Sequence, residues 1–501
     1  MRRAVVVSSV LVLLGCAGQE TDPAMPCITT TEVLRPIGHF VDKVDLLFMI
    51  DNSNSTTEEQ TRLVEQLPRL VEALTAGDVD PDDGIDVGRD FQPIRSLNLG
   101  VITGDMGTEG RPVPTCDLQP LGEDGVLRTW GNTAVDPTCP TSYPSFLGFA
   151  PGLDDAASFI TDASCLAVVG TSGCGFEQPL EAILKAVTPS GQAPVGAFDG
   201  QFAMGTTGHA DGANAGFLRP DSLLVVVAMT DEDDCSALDP ELYRESSSIY
   251  PGELNLRCFE YPSALQPIER YVDGLLTTRA SPDQLVFVPL AGIPRTAAGP
   301  PEQPPDYDAI LSHPEMQVAI DPDMPTRLRP SCHEAGAGFA FPPRRIIEVA
   351  AGLAERGAST AAPSVCEPDF TEAADAIIHA MAGALVSCFA RAPEVGADGR
   401  VECEMIETLP VESGLRCEDL PGRTLVRVDD DSGAEECLIE QLVTDGAVPA
   451  GDGWYVDTFS PLTLRGCAGS SRPARLAFTE GAAVMGAWRL ECVDRVCDDG
   501  V

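Results

Sequence analysis

Hydrophobic positions along this chain fall into two kinds of block. Val44–Ile50, Leu223–Met229 and Leu285–Leu290 are apolar almost throughout, and Ser96–Thr103 is nearly so. Such runs predict strands covered on both faces, as in a parallel sheet. Between them, apolar residues recur at three and four. Leu63, Val64, Leu67, Leu70, Val71 and Leu74 place a helix over Thr56–Leu74, bent at Pro68. Further helices are expected over Phe176–Val187, Pro267–Leu276, Ile346–Ala354 and Phe370–Leu385. Strand and helix alternate four times. The prediction is α/β, a doubly wound, mainly parallel sheet with helices on both faces.

Long stretches interrupt this order. Residues 108–170 are rich in Pro, Gly and Cys and read as a disulfide-pinned excursion. Residues 191–216 form a glycine-rich loop, and a Pro-rich insertion runs to about 341. After about 391, Cys403, Cys417, Cys437, Cys467, Cys492 and Cys497 punctuate short apolar runs. This predicts a small disulfide-rich β domain over 391–501, behind a main domain over 41–390.

The first residues carry an address. Arg2 and Arg3 precede the apolar run Ala4–Leu14, too short to span a bilayer but suited to a signal peptide. Leu13-Leu14-Gly15-Cys16 resembles a bacterial lipobox. That resemblance implies a signal peptide over 1–15, a lipid on Cys16 and a tether over 16–40. Ala17 after Cys16 favours the outer membrane by the same resemblance. The alternative is a plain signal peptide and a secreted protein.

Cysteine and charge sharpen the picture. Of 17 Cys, an even number remains once Cys16 is lipidated, and no Cys-x-x-Cys occurs. Export plus even parity predicts disulfides. Loop closure alone gives Cys165–Cys174, Cys235–Cys258 and Cys366–Cys388 as local pairings. The net charge is −45, from 77 acidic and 32 basic residues. No basic surface is available for nucleic acid or anionic lipid. Contact with a membrane is expected only through the lipid.

Candidate chemistry sits where the first strand ends. Asp51-x-Ser53-x-Ser55 offers one carboxylate and two hydroxyls at a strand C-terminus, the edge where open α/β sheets bind ligands. Oxygen donors of this kind suit a hard divalent cation. A second apolar strand ends in Thr230-Asp231. These residues resemble the metal-ion-dependent adhesion site of von Willebrand factor A domains, also found in integrin inserted domains. The resemblance implies one Mg²⁺, or Ca²⁺ or Mn²⁺, at Asp51, Ser53, Ser55 and Asp231, with a Thr from a second loop. Thr171 is the first choice for that Thr and Ser172 the second, while register alternatively places it near Cys174. It further implies a protein partner whose acidic side chain completes the shell. Glu232, Asp233 and Asp234 are expected to be solvated or to cap the next helix. Asn214–Pro220 with the run from Thr230 to Ser236 resembles secreted A-domain-like lipoproteins of Gram-negative bacteria. Arg219 is expected in an exposed turn, with pairing to a carboxylate near the site as the alternative.

Other chemistry finds little support. Asp78, Asp80 and Asp82 begin like a calcium loop, but Asp83 and Arg89 stand where Gly and Glu are needed. Lys43 and Lys185, the only lysines, lie outside any phosphate-binding loop, and there is no Gly-x-Ser-x-Gly elbow. His39, His209, His313, His333 and His379 include no metalloprotease pair. The reading is a non-enzymatic cell-surface lipoprotein that binds a partner through a metal-dependent adhesion-type site. The alternatives are an envelope scaffold with a vestigial site and, third, a metal-dependent hydrolase.

Overall fold

The computed structural model describes residues 28–34 and 42–496, apart from 80–90, 92, 117–118, 135, 195–200, 334–337, 387, 390–391, 410, 412–413, 430–431, 461–462, 465–466, 468–471, 480–481 and 483–486. The lipobox, with Cys16, and most of the acidic loop at 78–90 lie outside the described residues.

Six strands form the main sheet. In spatial order they are Leu147–Phe149, Ser96–Thr103, Lys43–Ile50, Leu223–Met229, Leu285–Leu290 and Ser359–Thr360. All neighbours are parallel except Leu147–Phe149, which lies antiparallel on its edge. Strand order reverses at Lys43–Ile50, which therefore lies at the topological switch point. Ile50 pairs with Thr103 on one side and Met229 on the other, so three strands end level there.

Each strand is apolar on both sides because both sides are covered. Val44, Leu46, Phe48 and Ile50 face a core shared with the helices Thr57–Glu65, Leu67–Ala76, Ala156–Ala167 and Thr371–Leu385. Leu47 and Met49 face the helices Pro179–Val187, Ile268–Leu276 and Arg344–Glu355. This is the period-two alternation of a strand between two layers. Each large apolar side chain so buried contributes about 1.5–3 kcal/mol.

Several expectations are corrected. The helix over Thr56–Leu74 is two helices that break at Gln66, with Pro68 in the first turn of the second, where its missing N–H does no harm. The helix expected from Phe176 begins at Pro179 for the same reason. The 108–170 excursion contains the edge strand and the helix Ala156–Ala167, whose first turn Asp155 caps through Ser158 N at 2.8 Å. Cys174 pairs with Cys116, Cys165 with Cys139, and Cys366 with Cys332, so two of the three local pairings fail. Cys235–Cys258 is present. Loop length favours near cysteines, but each strand and helix decides which ones meet.

The C-terminal part is β-rich. Its five-stranded sheet runs Ile28–Leu34, Ala487–Val496, Cys403–Thr408, Glu435–Ile439, Arg423–Val428. A second ribbon pairs Trp454–Asp457 with Arg475–Phe478. Met405, Ile439, Trp454, Leu476 and Leu490 fill its core. Cys403–Cys492 and Cys417–Cys437 staple it, and Cys388–Cys467 ties it to the end of the helix Thr371–Leu385. Ile28–Leu34 lies inside the segment expected to be a tether, yet it is an outer strand of this sheet.

Candidate metal centre

Asp51 follows the central strand directly and is 1% exposed. Its N–H donates to Met229 O at 2.9 Å, extending the ladder one residue past the strand. Its carboxylate is held at both oxygens. Ser53 N donates to Oδ1 at 2.7 Å, and the Thr230 hydroxyl donates to Oδ2 at 2.7 Å. Burial pushes the pKa of its carboxyl up, against these donors. The turn is then locked from below: Thr56 Oγ1 donates to Asp51 O at 2.9 Å, and Gln60 Nε2 to the same oxygen at 3.0 Å. The two hydroxyls of the motif lie 3.2 Å apart, Ser53 buried and Ser55 exposed.

Asp231 faces this turn from the neighbouring strand. It is 3% exposed, and its Oδ1 is buried with no hydrogen-bond partner. Burial, then the charges of Asp51 and Glu232, push its carboxyl well above the usual range, while the Ser55 hydroxyl works the other way. The structure thus brings together Asp51, Ser53, Ser55 and Asp231, drawn from two loops 180 residues apart in sequence (51 to 231).

The second loop contributes differently from expectation. Gln60 Nε2 donates to Gly170 O at 2.8 Å, and Gly173 N donates to Asn52 O at 2.8 Å. A Cβ on Gly173 would stand 2.0 Å from Asn52 Oδ1, so any larger residue there would have to push the Asn52 side chain aside. What this loop gives the turn is backbone; Thr171 is half-buried and Ser172 exposed. Cys174 is disulfide-bonded to Cys116.

Sequence reasoning missed Glu177. Its backbone ties together the loops that follow the two strands flanking the central one: Gln178 N donates to Gly104 O at 2.9 Å, and Cys235 N donates to Glu177 O at 2.9 Å. Its side chain is 3% exposed, and Oε1 is buried without a partner. Burial, then the charges of Glu232, Asp51 and Asp231, push its carboxyl far up. Glu232 is half-buried, bonds to Glu177 and is pushed up to about 7 by burial and then Asp51. The signal was Pro179, which marks the helix start and leaves Glu177 in the loop.

The rest of the acidic run is structural. Asp233 accepts from Arg345 N at 3.0 Å and from Ile346 N at 3.4 Å, at the start of the helix Arg344–Glu355. Asp234 accepts from Leu180 N at 3.1 Å and pairs with Arg345 at 3.2 Å. Both cap helices, but distant ones rather than the next in sequence. Arg219 is also reassigned. It pairs with the fully buried Asp45 at 2.7 Å, at the opposite end of the central strand from Asp51.

Four carboxylates, Asp51, Asp231, Glu177 and Glu232, therefore lie together, and among the described residues no Arg, Lys or His pairs with them. Buried carboxylates without a counter-charge take up protons or a cation. Among the described residues, no group of three His, Cys, Asp or Glu side chains forms a ready cage for a metal. The donor set that does converge is mixed, carboxylates with hydroxyls, and the orphaned Asp231 oxygen gives it an unfilled acceptor. Such oxygens fit a hard divalent ion. A cavity of about 360 Å³ lies three strands along the sheet, beside Ser359 and Thr360, and has no part in this edge. No protein-family model matches the chain, and no curated protein does.

Proposed function

We propose that this protein is an exported, lipid-anchored binding protein with a von Willebrand A-like sheet, which holds one divalent cation at Asp51, Ser53, Ser55 and Asp231 and presents it to an acidic side chain of a protein partner. The observation that carries this reading is the buried, partnerless Asp231 Oδ1 beside the doubly held Asp51 carboxylate, at the switch point of the sheet. A strand order that reverses at the central strand, with one antiparallel edge strand, supports the A-like assignment. Seven disulfides among the described residues support export.

The division of labour follows from the bonds. Thr230 and Ser53 N orient Asp51; Thr56 and Gln60 fix the turn; Gly173 lets the second loop close over it. Ser55 is exposed, so the site opens outward on that side. A bound Mg²⁺ or similar ion would supply local positive charge in an acidic field and a position for an incoming oxygen. A scaffold without a cation is the second reading, and the backbone-only contribution of the Thr171 loop favours it.

The test is calorimetric titration of MgCl₂ and CaCl₂ into the wild type and Asp51→Ala, with retention of an immobilised aspartate-bearing peptide measured with and without EDTA. Wild type should bind one ion and retain the peptide only without chelator. Equal behaviour of the two proteins would rule the metal-dependent reading out.

A further inference from the structure

We infer that Cys27 and Cys497 form a disulfide that clasps the first strand of the chain to the last. The clasp lies outside the ion site and needs only export from the reading above. Every cysteine among the described residues is already paired, fourteen of them in seven disulfides. Of the 17 in the chain, Cys16, Cys27 and Cys497 remain, and all three lie outside the described residues. Lipid on Cys16 leaves two thiols, an even remainder in an oxidising compartment.

The ladder between Ile28–Leu34 and Ala487–Val496 brings these two together. It runs antiparallel through consecutive pairs, from Leu34 opposite Leu490 to Ile28 opposite Val496. Cys27 directly precedes Ile28, and Cys497 directly follows Val496. One more step of the same register sets them face to face.

The parity of the ladder favours a bond there. Antiparallel neighbours alternate between hydrogen-bonded pairs, about 5.5 Å apart at Cα, and closer pairs, about 4.5 Å apart, whose amides and carbonyls turn away from each other. On its other side the last strand holds Cys492 opposite Cys403, disulfide-bonded, with Cα atoms 4.0 Å apart. That is the close kind of pair, so Cys492 turns its amide and carbonyl toward Ile28–Leu34. Position 497 lies an odd number of residues further on and turns them the other way. Cys27 and Cys497 therefore fall at a close pair, and a Cα spacing of about 4.5 Å is one that a disulfide spans. The same sheet already uses this device at Cys403–Cys492.

Formation joins the two Sγ atoms and breaks the S–S bond of a donor disulfide in the exporting compartment. The donor leaves as a dithiol, carrying the two electrons and two protons. The clasp gives the tether two routes into the fold. One runs along Ile28–Leu34 to Lys43–Ile50. The other crosses Cys27–Cys497 and Cys403–Cys492 and returns along the chain to the helix Thr371–Leu385. A pull on an anchored, partner-bound chain is then shared, rather than carried by one edge strand alone.

The experiment uses the whole chain, produced with its own leader in a bacterial exporting host. The protein is denatured without reductant, alkylated with iodoacetamide, digested, and its linked peptides are identified by mass. In a second preparation a protease site is inserted between residues 35 and 41, and the cut chain is run on a denaturing gel with and without reductant. Wild type should yield a Cys27–Cys497 peptide, and the cut chain should stay in one piece until reduced. Cys497→Ser should expose one thiol per chain, at Cys27, and should release the N-terminal piece without reductant. Alkylated Cys27 and Cys497 in the wild type, a linked peptide joining either of them to Cys16, or release of the N-terminal piece from the unreduced wild type would each overturn the clasp. None of these readouts depends on a cation, so the ion site stands or falls separately.

Discussion

Thr230 and Asp51 are joined across two parallel strands: the Thr230 hydroxyl donates to Asp51 Oδ2 at 2.7 Å. The bond links the residues that directly follow the two strands carrying the site, and it leaves Ser53 N to hold the other oxygen. Replacing Thr230 by Val keeps the shape and removes the donor. The buried acceptor then costs about 1–3 kcal/mol. Thr230→Val should lower the unfolding free energy by that amount and weaken calcium or magnesium binding, read by denaturant melts and calorimetry. Unchanged ion binding in a destabilised protein would confine Thr230 to a structural role.

Arg219 and Asp45 make a contrasting prediction. Asp45 is fully buried and accepts from Arg219 N and Nε, each at 2.7 Å, and from the Ser222 hydroxyl. Removing one partner of a buried pair costs about 3–5 kcal/mol. Arg219→Ala should therefore destabilise strongly, and the double change with Asp45→Asn should recover part of the loss. Ion affinity of the folded fraction should stay at the wild-type value, since Asp45 and Asp51 lie at opposite ends of the strand. Loss of ion binding in the double variant would contradict that separation.

Acid stability should depend on Asp457. Burial pushes this carboxyl up, but the charge of Arg475 and the bonds from Ser460 and Phe459 N outweigh it and hold it at about 2. A lowered value means the stabilisation is complete above the ordinary value of 3.8 and fades as pH falls through about 2. The difference corresponds to about 2 kcal/mol at neutral pH. Asp457→Asn should cost at least that much at neutral pH. The gap to wild type, followed by denaturant midpoints, should narrow as pH falls from 3.8 to about 2. A gap constant with pH would show that Asp457 acts through shape rather than charge.

Disulfide mapping offers a direct check on topology. Digestion without reduction should release Cys116–Cys174, Cys139–Cys165, Cys332–Cys366 and Cys388–Cys467 as linked peptides. Thiol titration of the denatured, unreduced chain should find almost no free thiol. Recovery of a Cys165–Cys174 peptide would mean that the second loop is placed wrongly against the turn.

Continuous apolar strands were the most legible part of the fold. Leu223–Met229 and Leu285–Leu290 fall where the hydrophobic runs put them, because a strand buried on both faces admits almost nothing polar. Asp51 and Asp231 were placed at one sheet edge because the runs Lys43–Ile50 and Leu223–Met229 end just before them, and Ser53 and Ser55 because they lie in the turn that Asp51 opens. The edge strand Leu147–Phe149 was not, since its middle residue is an exposed Gly148 and three residues carry no period. Glu177 was hidden for a different reason. A buried glutamate has no signature in a loop rich in glycine. Its neighbours Gly104 and Cys235 are distant in sequence and meet it only through the sheet.

Asp233 and Asp234 determine more than two helix starts. One accepts from the first turn of Arg344–Glu355 and the other from the first turn of Pro179–Val187. Asp231 is therefore mounted on a loop clamped to a helix on either side, and its own carbonyl accepts from Phe341 N at 2.7 Å. The conformational freedom that an ion would have to freeze out of a loose loop is already gone when the chain has folded. Preorganisation of this kind shifts the burden of binding from ordering the protein to stripping water from the ion. The heat and rate of ion uptake should then reflect dehydration of the ion far more than any rearrangement of the fold.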